Sequence, residues 1–354
     1  MAYTAHEIQK YEKVAATAAT LVEKKLVVPN FFQHQSANDY KGGQTVNGEE
    51  TYSITVPGVL PSRSYAWRND RSAPIQFDKY AERKVSVSFG GRPYSAVELT
   101  DEQKDFDLGG SFGRLVASQT SAVRRQLEDQ AVDALTGAPY EITVNVAGNA
   151  SVRTLARAAR RALNGAGVPD GERILLLGLD WEEAALADDA LAIASSVGER
   201  RALAALERAV IGELYGLTVV VSGEIEPDAA YAFVRSAFVF VSGVPSVPRS
   251  IPVGATASTP SPLGLGLRWM QDYDVKYFVD RSVFDMYAGF NYVDDPVVTV
   301  DSSGNGTVSE DNHFIRAVQI VAGADNSATS ITVDTDELAS FTGFTSTESS
   351  SSAG

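Results

Sequence analysis

The stretch Asp107–Gln119, DLGGSFGRLVASQ, places Gly109, Ser111 and Gly113 in a G-x-S-x-G pattern. In α/β-hydrolases that pattern is the nucleophile elbow. A strand feeds a sharp turn, the serine hydroxyl stands free, and a helix leaves. Ser111 is therefore a candidate nucleophile for acyl transfer. Its surroundings are wrong for that role. The preceding LTDEQKDFDL is acidic and polar, not strand-like. A triad on that fold also needs a later histidine, and only His313 follows Ser111, with His6 and His34 upstream. Ser111 fits better as the N-cap of a helix, with Asp105 and Asp107 suited to the positive helix end.

Other chemistry-bearing stretches read in the same way. In DSSGNGTVSEDN, Asp301, Ser303, Asn305 and Gly306 mimic the opening of a calcium loop. The twelfth position of such a loop is a bidentate Glu, and here it is Asn312. The flanks look like strands, so a β-turn is expected. RILLLGLD, residues 173–180, ends an apolar strand on Asp180, but the phosphate-loop pattern that should accompany it is absent. The acid pairs Asp188/Asp189 and Asp294/Asp295 sit in polar surroundings and are expected to be solvated surface. With three histidines and no cysteine there is little material for a metal site, and none for disulfides or thiol catalysis. No catalytic, cofactor-binding or metal residue is assigned, and no cofactor is implied.

The elements themselves are less bland. The chain has 354 residues, 44% of them hydrophobic and 21% charged, enough for a substantial core in two or three domains, or in one body with long excursions. No apolar run is long enough to cross a bilayer, and the first residues lack a signal-peptide pattern. The net charge of −15 argues against tight, specific DNA binding, which needs a basic face. Ile8, Tyr11, Ala15, Ala18 and Val22 predict an amphipathic helix over residues 5–26, stopped by Pro29. Tyr52, Ile54 and Val56, then Val85, Val87 and Phe89, alternate with polar residues and predict a long hairpin over 45–97. Its irregular tip, PGVLPSRSYAWRNDRSAP, contains three prolines. A two-stranded ribbon is marginal alone, so something else must hold it.

Residues 111–135 predict a helix about 37 Å long, bounded by Gly137 and Pro139. Residues 141–261 mix helices, including one from Ser151, with apolar strands such as RILLLG and LTVVVSG, an α+β pattern. Residues 242–262 read as a Pro/Ser/Gly-rich loop and 263–293 as strands. VVTVDSSGNGTVSE and ATSITVDTDEL read as two further hairpins, and TSTESSSSAG as a low-complexity tail. Parts that project without a core of their own are commonly buried on other copies of the same chain.

That order of parts resembles the major capsid proteins of tailed bacteriophages, with the Hong Kong 97-type fold. TYSITVPGVLPSRSYAWRNDRSAPIQFDKYAERKVSVSF looks like the family's extended loop, and YSAVELTDEQKDFDLGG like the lead into its spine helix. GELYGLTVVVSGEI and AYAFVRSAFVFVSGVPSVP are similar to its axial strands. GLGLRWMQDYDVKYFVDRSVFDMYAGFNYVDDP, with Tyr273-Asp274 and the turn from Tyr287 to Gly289, resembles its closing peripheral segment. The resemblance covers roughly residues 1–296. It implies an N-terminal arm (1–44), an extended hairpin loop (45–97) and a peripheral domain with the spine helix (98–140 and 262–296). An axial α+β domain (141–261) and a β-rich C-terminal extension (297–354), serving as outer decoration or subunit contact, complete the expected layout.

The resemblance further implies a non-enzymatic virion protein, made in the host cytoplasm, that assembles with itself as pentamers and hexamers. Scaffolding and portal proteins are the other expected partners. Packaged double-stranded DNA is held only non-specifically, and no membrane is involved. The basic loop residues Arg63, Arg68, Arg71, Lys79, Arg83 and Lys84 are expected to meet acidic surface on adjacent subunits. An encapsulin-like compartment shell shares the fold and is the nearest alternative. A serine hydrolase using Ser111 is the alternative from another class.

Overall fold

The computed structural model describes residues 11–36, 51–57, 60–65, 67, 74–75, 77–80, 82–103, 112–187, 210–251, 253–258, 265–300, 305–323 and 329–346. In chain order the first elements are α1 (Tyr11–Lys25), β1 (Gln33–Ser36), β2 (Thr51–Val56), β3 (Arg83–Ser88), β4 (Tyr94–Thr100) and α2 (Phe112–Thr136). Then come β5 (Ile142–Ala147), α3 (Val152–Gly165), β6 (Arg173–Leu177), α4 (Leu179–Leu186), β7 (Val210–Leu214), β8 (Leu217–Val221) and β9 (Ala230–Val234). β10 (Phe238–Gly243), β11 (Val253–Ser258), β12 (Gly266–Asp274), β13 (Val279–Asp285) and β14 (Tyr287–Tyr292) follow. The chain closes with β15 (Val298–Val300), β16 (Gly306–Val308), β17 (Ala317–Gly323), β18 (Ser330–Val333), α5 (Asp336–Thr342) and β19 (Thr345–Ser346). These elements group into two compact units, each assembled from separated stretches of chain.

The first unit comprises Met1–Tyr52, Ser86–Thr136 and Val239–Asn291. Its main sheet is wholly antiparallel, in the order β11-β12-β13-β4. The long helix α2 packs on β4 and β13, burying Val116, Val123, Leu127, Ala131 and Leu135 as one stripe. α1 packs on α2 and β11 through Ala15, Ala18, Ala19 and Val22, small side chains that let it approach closely. Pro29 ends α1 as expected and opens a 3-10 turn over Val28–Phe31. The fully buried Glu128 of α2 accepts the freed amides, from Val27 N at 3.1 Å and Val28 N at 2.7 Å. A buried carboxylate is tolerated there because it accepts from the first amides of the 3-10 turn, which have no intrahelical acceptor.

Buried polar side chains also fasten α2 to the sheet. Gln119 donates to the Ser282 carbonyl at 2.9 Å and accepts from the Ser282 hydroxyl at 3.0 Å. Trp269 donates to that hydroxyl at 3.0 Å. At the β13 end, Asp285 takes both Arg268 and Arg92. Arg268 donates at 2.8 and 2.6 Å, and Arg92 Nε at 2.8 Å.

The second unit comprises Ser53–Val85, Gly137–Phe238 and Tyr292–Gly354. Its eight-stranded mixed sheet runs β19-β18-β5-β17-β9-β6-β8-β7. β6 and β9 are buried at every position, as interior strands covered on both faces should be. α3 packs on β5 and β17 with Leu155, Ala159 and Leu163 inward, and Ser151 caps it by accepting from Thr154 N at 3.4 Å. An aromatic cluster of Tyr140, Tyr231, Phe233, Phe238, Tyr292 and Phe314 fills one flank, with ring centroids 5.3–5.6 Å apart.

Three readings of the sequence need correction. Residues 242–262, expected as a loop, contain β11, an edge strand that pairs with β12 from Val253 to Ser258. VGATAS lacks large β-formers, and only the pairing partner makes it a strand. ATSITVDTDEL is no hairpin. It is β18 followed by α5, capped by the Thr335 hydroxyl accepting from Leu338 N at 3.2 Å. The segment expected as an added C-terminal extension supplies β17, which lies inside the sheet, parallel to β5 and antiparallel to β9.

Candidate subunit interface

The hairpin read from period-2 alternation is present. β2 and β3 pair as a two-stranded sheet, with Val56, Val85 and Val87 buried. Between them the described loop residues are almost all exposed. Trp67 is 89% accessible, Phe77 89% and Ile75 67%, while Leu60 and Tyr80 are about half exposed. Apolar side chains this accessible lose the burial free energy that normally pins a loop, roughly 1.5–3 kcal/mol for each large side chain. Among the described residues nothing covers them.

Polar contacts nevertheless hold the loop in place. Ser64 N donates to Asn305 Oδ1 at 3.2 Å, and Gly306 N to the Ser62 carbonyl at 2.5 Å. The β15–β16 turn comes so close that a Cβ on Gly306 would lie 2.7 Å from Ser62 N, so glycine is required there. The stretch read as a possible calcium loop is thus a strand hairpin with Val300 opposite Gly306, and Asn305 serves the loop. Asp301 and Ser303 lie outside the described residues, and Asn312 is exposed.

The basic residues singled out in the loop divide into classes. Arg63 pairs with Asp78 at 2.6 Å, and that hydrogen bond raises the guanidinium pKa and lowers the carboxyl pKa. Arg83 grips Asp294, side chain at 2.7 Å and backbone carbonyl at 3.0 Å. Lys79 and Lys84 are exposed without an ion pair among the described residues. Arg68 and Arg71 lie outside those residues. The acid pair Asp294/Asp295, expected as solvated surface, is committed instead: Asp294 to Arg83, and Asp295 to Arg316 at 2.7 Å. Asp188 and Asp189 lie outside the described residues.

Among the described residues no serine, histidine and carboxylate come together as a triad. Ser111, with its expected capping role, lies outside the described residues. His313, which showed no partner in the sequence, is buried and has its Nδ1 at 2.6 Å from Glu141 Oε2. Glu141 also accepts from Phe314 N at 2.8 Å, so the pair ties a loop to the start of β5. Tyr140 is pushed well above the usual phenol range by burial, as suits a core residue. Among the described residues no group of three His, Asp or Glu side chains could hold a metal ion. No helix of the described residues is long and apolar enough to cross a membrane.

A family model described as phage capsid protein matches residues 94–283. No curated protein matches the chain. A solved structure from Mycobacterium phage Che8 is 13% identical, covering 84% of this chain and 91% of that one, with a TM-score of 0.52. A structure from Mycobacterium phage Cain is 11% identical over 85% of this chain and 91% of that one, with a TM-score of 0.48. The capsid structure of the Cyanophage P-SCSP1u is 9% identical over 83% and 87%, also with a TM-score of 0.48.

Proposed function

The chain belongs to the phage capsid protein family, and from that premise we propose that it works as the major capsid protein of a tailed bacteriophage. It has the Hong Kong 97-type fold of that class. Copies of it self-assemble into the icosahedral head that encloses the double-stranded DNA genome. It is a virion component with a structural task. The encapsulin-like alternative is not favoured, since the matching family model is a phage one. The hydrolase alternative is not favoured either: His313 is buried, and its second ring nitrogen, the one a triad would aim at a serine, lies 3.6 Å from the Glu337 carboxylate.

The observation that carries the assembly reading is the loop between β2 and β3. It bears Trp67, Ile75 and Phe77 into solvent, held by polar contacts and with no apolar cover among the described residues. In rings of five and six subunits, heterologous contacts would place this loop over a neighbouring copy and bury those side chains. Lys79, Lys84, Arg68 and Arg71 then serve as the contacts to acidic surface on the neighbour. Arg63 and Arg83 act more as internal struts, through Asp78 and Asp294. The second unit, with its eight-stranded sheet, takes the axial role, and the unit built on α2 takes the peripheral one. Synthesis in the host cytoplasm, and work with scaffolding and portal proteins, complete the reading. DNA is held loosely, in keeping with the −15 net charge.

Sizing chromatography and negative-stain microscopy of the full chain test this. Closed shells or rings of five and six are expected. A stable monomer with esterase activity would overturn the reading and return attention to Ser111.

A further inference from the structure

The second unit carries two uncompensated charge poles. α3 buries its apolar face on the sheet and turns Arg157, Arg160 and Arg161 outward, at i, i+3 and i+4. With Asn164, Tyr215 and Phe344 these arginines line a shallow depression. It is built, not incidental. Arg160 donates to the Tyr215 carbonyl at 2.6 Å, in a β7–β8 turn where Tyr215 and Gly216 both have positive φ. The Phe344 ring closes on Gly165 so tightly that a Cβ there would collide with it. Arg173 is fully committed just beneath, donating to Asn164 Oδ1 at 2.6 Å. Its ion pair is with Asp170 at 2.8 Å; burial lowers its pKa, Asp170 works against that, and the nearby Arg160 charge adds to it. Among the described residues none of the three outward arginines has a carboxylate partner.

The opposite pole is acidic. Glu183 on α4 and Glu224, Glu226 and Asp228 in the β8–β9 turn are exposed, and none has a cationic partner among the described residues. The turn is clamped to α4: Asp180 N donates to the Pro227 carbonyl at 3.0 Å, and the Trp181 indole to the Asp228 carbonyl at 2.7 Å. The charge is felt locally, since Asp228 and Glu226 add to the burial that raises the Tyr231 pKa.

Sheet topology separates the poles. β6 and β8 run parallel. Arg173 and Tyr215 lie at their starting ends, whereas Gly178 and Ser222 follow their finishing ends. Five residues of β8 span about 13 Å. The poles therefore cannot meet within one chain. They are complementary in sign and sit on different surfaces of one unit, which is the requirement for a heterologous, ring-forming contact.

We propose that the face formed by Arg157, Arg160 and Arg161 docks on the corner formed by Glu183, Glu226 and Asp228 of a second copy, head to tail around each ring. This rests on the shell reading above and adds a surface distinct from the hairpin loop. A second copy is favoured over nucleic acid as the occupant because it accounts for both poles, whereas DNA would leave the acidic corner unmatched.

Three full-length variants test it beside the unmodified chain. One carries Arg157→Glu, Arg160→Glu and Arg161→Glu. Another carries Glu183→Lys, Glu226→Lys and Asp228→Lys. The last carries all six changes. Each half-reversed variant should fold, by circular dichroism, yet lose at least tenfold in assembled material by sedimentation. The six-fold variant should recover assembly. An equal mixture of the two half-reversed chains should form rings of six but not of five, because alternating poles close only in even numbers. Normal assembly by both half-reversed variants would overturn the proposal. So would normal shells of the arginine variant that fail only to retain DNA, which would make nucleic acid the occupant. Failure of the unmodified chain to assemble at all would instead count against the shell reading itself.

Discussion

Asp285 shows how much a single carboxylate can hold. It is buried, and it accepts from both Arg268, itself buried, and the half-exposed Arg92, whose guanidinium also lies 5.4 Å from the Tyr287 ring centre. Hydrogen bonding to Asp285 raises the Arg92 pKa. Replacing Asp285 by Asn would strand the Arg268 charge in the interior, at a cost of about 3–5 kcal/mol. Thermal unfolding of Asp285→Asn should show that loss. Asp78→Asn, at the exposed Arg63 pair, should melt like the unmodified chain. At this scale the sequence is legible in residue type and not in partnership. Asp294 and Asp295 read as solvated because their neighbours in sequence are polar. Their actual partners, Arg83 and Arg316, lie 211 and 21 residues away. The role of His313 is hidden for the same reason, with Glu141 172 residues upstream.

Elements are most legible where a single period dominates. α2 and the β2–β3 hairpin declare themselves through an unbroken apolar stripe and a clean alternation, signals that need no knowledge of the partner. β11 and β17 do not. VGATAS alternates only one Val and two Ala with Gly, Thr and Ser, side chains too small to stand out, and AVQIVAG is a short apolar run that could be strand or buried helix. Both become strands through the neighbours they pair with. The loop carried by the hairpin is the element with the clearest consequence. Its exposed aromatics contribute nothing to the folded subunit, so Trp67→Ala with Phe77→Ala should leave the unfolding temperature unchanged. The same pair of changes should abolish closed shells in negative-stain images. A fall in subunit stability instead would mean that the side chains pack within their own chain.

At the scale of the whole molecule, chain order and spatial order part company. Each unit draws on three separated stretches, so neither can be cut out as one continuous piece of chain. The clearest case lies near the C-terminus. A minimal reading of the fold ends near residue 296 and treats the remaining residues as an addition. In the structure β17 sits between β5 and β9, and β18 covers the other edge of β5. Ending the chain after Pro296 would remove both strands. It would split the eight-stranded sheet and leave the edges of β5 and β9 with unpaired backbone groups over an apolar interior. Phe314 would go too, and with it contacts to Tyr140, Phe238 and Tyr292. That truncated chain should be insoluble when expressed. A chain ending after Ser346 keeps every described strand, and should be soluble with the unmodified circular dichroism spectrum and melting temperature. If the shorter chain folds and assembles instead, β17 is dispensable, and the second unit must close its sheet by pairing β5 directly with β9.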